Sequence, residues 1–141
     1  MPAGNAGVYR RAGNRQLTTA RRRYTISPFV GLTEGAVMVS PNILPYEIAN
    51  ALTGMMRRGI IERERMASAF GYFRKIPVRT LGSDIEKALE IAWKYKTYAY
   101  DACYLELAKR LGLPILTFDA GMARVGEDLG IKMLGGKNAG V

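Results

Sequence analysis

The chain has no histidine and a single cysteine, Cys103. Without histidine, a Ser-His-Asp triad, histidine general-base nucleases and histidine-bearing zinc sites are excluded, so any chemistry falls to carboxylates, lysine, tyrosine or a hard metal ion. One cysteine forms no intramolecular disulfide, which suits a reducing compartment and sets the cytoplasm as the expected address. Long apolar runs are also missing. None approaches the ~20 positions a membrane-spanning helix needs, and no apolar stretch follows the basic first residues before Tyr24, so neither a span nor a secretory leader is expected. Acidic residues are scarce: 12 Asp and Glu stand against 21 Lys and Arg, a formal charge of +9. Such a balance favours polyanions through phosphate neutralisation and counterion release, with nucleic acid the natural candidate. An anionic membrane surface or plain solubilising charge gives the same balance.

At 141 residues the chain is long enough for one domain with one core. Residues 1–34 stand apart: they hold six arginines, one acid at Glu34 and no sustained period, and read as a basic, atypical segment, either a solvated tail or an arm touching phosphates. Within them only YTISPFVGL is apolar enough for a strand, which Pro28 would confine to an edge or bulge. From residue 35 the pattern alternates. AVMV (36–39) predicts a strand, PNILPYEIANALTGMMRRG a helix stopped by Gly59, residues 62–74 a second helix on Met66, Ala69, Phe70 and Phe73, and KIPV (75–78) a strand. Ser83 and Glu86 match a capping box ahead of a helix whose inward positions are Ile85, Leu89 and Ala92, joined by Trp93. A helix over Ala99 to Leu111, a strand at PILTF (114–118), a short helix from Met122 to Leu129 and IKML complete a domain over 35–134, with 135–141 as a flexible tail. Alternation of this kind predicts an α/β fold, a parallel sheet flanked by helices.

Two aspartates draw notice. Asp101 sits where a helix begins, a position the macrodipole favours whatever the function. At 100° per residue it falls beside Leu105, Ala108 and Leu111, away from the charged stripe of Glu106, Lys109 and Arg110, and so faces inward. Burying an ionised carboxylate costs several kcal/mol (roughly) unless something compensates, and a bound cation or a wet cleft is the usual compensation. Asp119 ends an apolar strand, at the edge of a parallel sheet where ligand clefts form, and it equally suits the N-cap of the next helix. Thr117, two residues earlier, shares its face and offers a supporting hydroxyl. Glu47 lies at the border of the polar stripe on its helix and reads by itself as solvated. In company with the two aspartates it would give a hard divalent cation an oxygen set.

The remaining candidates carry bland readings beside functional ones. Cys103 reads as a small buried side chain. Tyr98, Tyr100 and Tyr104 read as core packing, with base stacking as the alternative. Arg57, Arg58, Arg63 and Arg65 open a basic cluster that either tracks phosphates or forms a soluble face.

SPNILPYEIANAL and TYAYDACYLELAKRLGLPILTFD, with the strand–helix spacing between them, resemble the PIN domain, specifically the toxin component of VapBC-type toxin–antitoxin pairs. The resemblance spans about residues 36–134. It implies a three-layer α/β/α sandwich around a central parallel sheet, and a metal-dependent endoribonuclease in which carboxylates hold Mg²⁺ or Mn²⁺. By position Glu47, Asp101 and Asp119 match the family's catalytic metal ligands and Thr117 its T-x-D threonine. RNA and a small antitoxin protein are the partners implied. The family pattern has a further Asp at the end of its first strand, and here the chain departs from it. Counting back from Glu47 reaches GVYRRA, with neither an acid nor an apolar strand. That departure raises a second reading, a catalytically inactive PIN-like module that binds RNA or an antitoxin. The sheet edges exposed by a missing strand also predict a homodimer.

Overall fold

The computed structural model describes residues 35–117 and 119–134; the expected N-terminal strand and both tails lie outside them. Among the described residues the order is β1 (Met38–Pro41), α1 (Leu44–Arg57), α2 (Arg63–Lys75), β2 (Val78–Leu81), α3 (Ile85–Tyr95), α4 (Ala99–Leu111), β3 (Ile115–Leu116), α5 (Ala120–Asp128) and β4 (Met133–Leu134). The strands form two parallel pairs, β1 with β2 from Met38↔Val78 to Pro41↔Leu81, and β3 with β4 from Ile115↔Met133 to Leu116↔Leu134. The α/β alternation expected from the sequence is therefore present.

Some boundaries move for identifiable reasons. β1 starts two residues later than AVMV suggests, and Val37 is left exposed. β2 is Val78–Leu81 rather than 75–78, because α2 runs through Lys75 and Pro77 has no amide to give a ladder. α1 carries its proline in the first turn, where a missing N–H costs nothing, and ends before Gly59, whose φ of 68° is a left-handed value that glycine adopts without strain.

Helix α4 forms the centre. Residues 101 to 108 are buried without a break, so the helix is covered on every side. Tyr104, Leu105 and Ala108 pack with Ile115, Met122 and Ile131 in one cluster, and Ala102 and Cys103 pack with Ala88 of α3 in another. Burial pushes the Cys103 thiol above its ordinary range, which keeps it protonated and inert. At its end Gly112, at φ 64°, closes the helix in the left-handed conformation.

Two expectations are overturned on α3 and α4. Glu106 belongs to no solvated stripe: it is 2% exposed, accepts from the Asp84 amide at 3.0 Å and pairs with Arg110 Nε at 2.6 Å. Arg110 also donates to the Gly82 carbonyl at 2.7 Å, so one buried carboxylate and its cation tie the start of α3 to α4. On α3, Ile85, Leu89 and Trp93 face outward, Trp93 at 77% exposure with the Lys96 ammonium 3.8 Å from its ring centre. The buried side is instead Ala88, with Ile91 and Ala92 half-buried, because small residues let α3 approach Ala102 and Cys103 closely.

The N-cap of α3 is Asp84, one residue beyond the expected Ser83. Its carboxylate accepts from the Lys87 amide at 3.2 Å, while Ser83 Oγ donates to the Cys103 carbonyl at 3.4 Å. The bond from the Lys87 amide holds the Asp84 carboxyl below its ordinary 3.8. A depressed folded-state value means that the cap's contribution is present above the unfolded pKa and is lost as pH falls through the folded one. We predict that the difference in thermal midpoint between wild type and Asp84→Ala narrows as pH is lowered below 3.8, and a difference constant down to pH 2 would contradict the assignment.

Candidate carboxylate site

Asp101 lies in the first turn of α4, 8% exposed, in line with its inward angular position. Glu47 lies in the first turn of α1, just beyond the carboxyl end of β1. The structure corrects its solvated reading: Glu47 is half-buried, its Oε1 is buried, and Oε2 accepts from the Tyr104 hydroxyl at 3.2 Å. Tyr104 follows Asp101 by one helical turn, so side chains at these positions neighbour each other on α4. Glu47 and Asp101, far apart in sequence, are thereby brought to one region.

Asp119 follows the carboxyl end of β3 and is the N-cap of α5, its Oδ1 accepting from the Met122 amide at 2.9 Å. Gly121 leaves room for it: a Cβ there would stand 3.2 Å from that oxygen. The buried Thr117 hydroxyl accepts from the Asp119 amide at 3.1 Å, so its support goes to the backbone of Asp119 rather than to the carboxylate. Asp101 opens α4, and Asp119 follows β3, the strand into which α4 leads.

Among the described residues no three Asp, Glu, Cys or His side chains are close enough together to hold a metal ion. The donor chemistry nonetheless suits a hard cation of the Mg²⁺ type, which takes one or two carboxylates and fills its remaining positions with water and substrate phosphate. Carboxylates are the available donors; histidine is absent and Cys103 is buried and protonated.

Arg57 and Arg58 close α1, and Arg63 and Arg65 open α2. All four are exposed, and none enters an ion pair among the described residues. Helix α2 buries no residue, so the corner projects from the core. Tyr98 and Tyr100 are exposed rather than packed, whereas Tyr104 is fully buried. Tyr104 is the residue whose role the sequence conceals. A buried tyrosine needs a partner for its hydroxyl, and that requirement is readable, but the partner lies 57 residues away.

The PIN domain family model matches residues 18–128, well over half of the chain and including part of its basic N-terminal segment. Ribonuclease VapC3 of Pyrobaculum aerophilum is 28% identical over an alignment of 86 residues that covers 58% of this chain. The match covers 66% of that relative, just under two thirds of its length.

Proposed function

The chain belongs to the PIN domain family, and from that premise we propose that it is a metal-dependent endoribonuclease, the toxin component of a toxin–antitoxin pair. The observation that supports the reading is the bond from Tyr104 to Glu47, one helical turn along α4 from buried Asp101, with Asp119 following the carboxyl end of β3. In this reading Glu47, Asp101 and Asp119 are the catalytic carboxylates and would hold Mg²⁺ or Mn²⁺. Such a bound ion lowers the pKa of water and stabilises charge on a phosphate oxygen. The protein's own share is positional: Asp101 is fixed by burial in α4, Glu47 by its bond to Tyr104, and Asp119 by capping α5. RNA is the proposed substrate, with Arg57, Arg58, Arg63 and Arg65 neutralising its phosphates at the α1–α2 corner. A small antitoxin and a second copy of the chain are the proposed protein partners, and the cytoplasm the proposed location. No described helix is long and apolar enough to cross a membrane.

A second reading is favoured by the lack of a three-carboxylate group among the described residues: a module that binds RNA or an antitoxin without cutting. Calorimetric titration with Mn²⁺, alongside cleavage of a labelled single-stranded RNA, separates the two. Saturable Mn²⁺ binding with Mn²⁺-dependent cleavage is expected. If the four arginines each neutralise one phosphate, log affinity for RNA falls against log salt with a slope of about −3. Salt-dependent RNA binding with neither metal uptake nor cleavage would establish the inactive module instead.

A further inference from the structure

Tyr104 is 0% exposed, yet it carries a hydroxyl into the core. Its ring packs with Leu105, Ala108, Ile115, Met122 and Ile131, a setting that phenylalanine would fill equally well. A buried hydroxyl costs free energy unless it is hydrogen-bonded, and here it donates to a carboxylate oxygen of Glu47 at 3.2 Å. That bond joins α1 to the helix carrying Asp101. We propose that Tyr104 is a positioning residue, whose hydroxyl locks the rotation of the Glu47 carboxylate relative to Asp101 and so sets the affinity of the site for a divalent cation. The inference rests on Glu47 being a metal ligand. The physical ground is that a partner holding a ligating side chain in orientation removes the freedom that binding would otherwise have to freeze, and loss of such a partner typically costs 10- to 100-fold in metal affinity (about).

The test is a double-mutant cycle read by Mn²⁺ calorimetry on the full chain. Tyr104→Phe is expected to weaken Mn²⁺ binding about 10- to 100-fold, to lower kcat for RNA cleavage while leaving KM for RNA unchanged, and to keep the far-UV circular dichroism of the wild type. Glu47→Gln is expected to weaken Mn²⁺ binding as well. Because the hydroxyl acts through Glu47, adding Tyr104→Phe to Glu47→Gln should bring no further loss. If Glu47→Gln loses Mn²⁺ while Tyr104→Phe binds it like wild type, or if the two losses add in full, the positioning role is overturned and the carboxylate site stands. If Glu47→Gln binds Mn²⁺ like wild type, the assignment of Glu47 as a ligand falls, and this inference with it. Should Tyr104→Phe not fold, the wild-type chain labelled with ¹³Cζ-tyrosine answers the same question: the Tyr104 resonance is expected to move on saturation with Mg²⁺, and an unmoved resonance counts against the proposal.

Discussion

Asp101→Asn is expected to lower RNA cleavage by about a hundredfold or more while leaving the fold intact. The substitution keeps shape and removes charge at a position 8% exposed in the first turn of α4. Two stability terms then oppose each other. Losing a negative charge near a helix N-terminus costs about 0.3–1 kcal/mol, whereas relieving a buried carboxylate of its desolvation returns roughly several kcal/mol. The substitution should therefore leave stability unchanged or raised, against a loss of more than about 2.7 kcal/mol in transition-state stabilisation. That contrast identifies a residue kept for chemistry rather than for folding. Thermal unfolding without metal and cleavage in Mn²⁺ are the paired measurements. Cleavage at the wild-type rate would remove Asp101 from the site, and a collapse in stability would make it a structural residue. The same pair of measurements on Asp119→Asn separates a ligand from a simple N-cap, because asparagine caps a helix about as well as aspartate.

The sequence makes the framework around Asp101 legible because two independent signals agree there. Apolar spacing sets the helix and Gly112 sets its end, so α4 runs over the residues expected of it, although it is buried on every side over residues 101–108 and Leu111 is exposed. On α3 the same reasoning meets two apolar faces at once. Ile85, Leu89 and Trp93 form the larger stripe, but the face that packs is the one bearing Ala88 and Ala92, since close approach to Ala102 and Cys103 selects small side chains. Periodicity measures where apolar residues recur, and it is blind to how near a neighbouring helix must come. Glu106 fails for a related reason. Its charge places it among solvated residues, and what compensates its burial is an amide at Asp84, 22 positions away, together with Arg110 one turn later. Glu47 belongs with it, because the hydroxyl that orients the carboxylate belongs to a residue whose sequence context reads as core. Long-range polar partners are set by tertiary approach, and a local pattern carries no record of them.

Leu105→Ala should destabilise the protein by about 3 kcal/mol, within the range of about 2–5 found for leucine truncated in a packed core. Leu105 is fully buried at the middle of α4, in the cluster that joins that helix to β3, α5 and the approach to β4 through Ile115, Met122 and Ile131. Removing its branched end forfeits the transfer free energy of three carbons. It also leaves a void whose lining can relax little, since neighbours on both sides are held in a parallel strand pair and a capped helix. Against a total stability of roughly 5–15 kcal/mol this is a large share. Leu89→Ala is the matched control: the same truncation on the exposed face of α3 should cost less than about 1 kcal/mol. Urea unfolding reads both, with the midpoint of Leu105→Ala falling at an unchanged slope. A loss below about 1 kcal/mol would mean that α4 is not the packed centre. Leu105 also adjoins Tyr104, so any void that lets the ring shift lengthens the bond to Glu47. Cleavage by the folded fraction of Leu105→Ala should accordingly fall further than its population alone requires, which connects core packing to the geometry of the carboxylates.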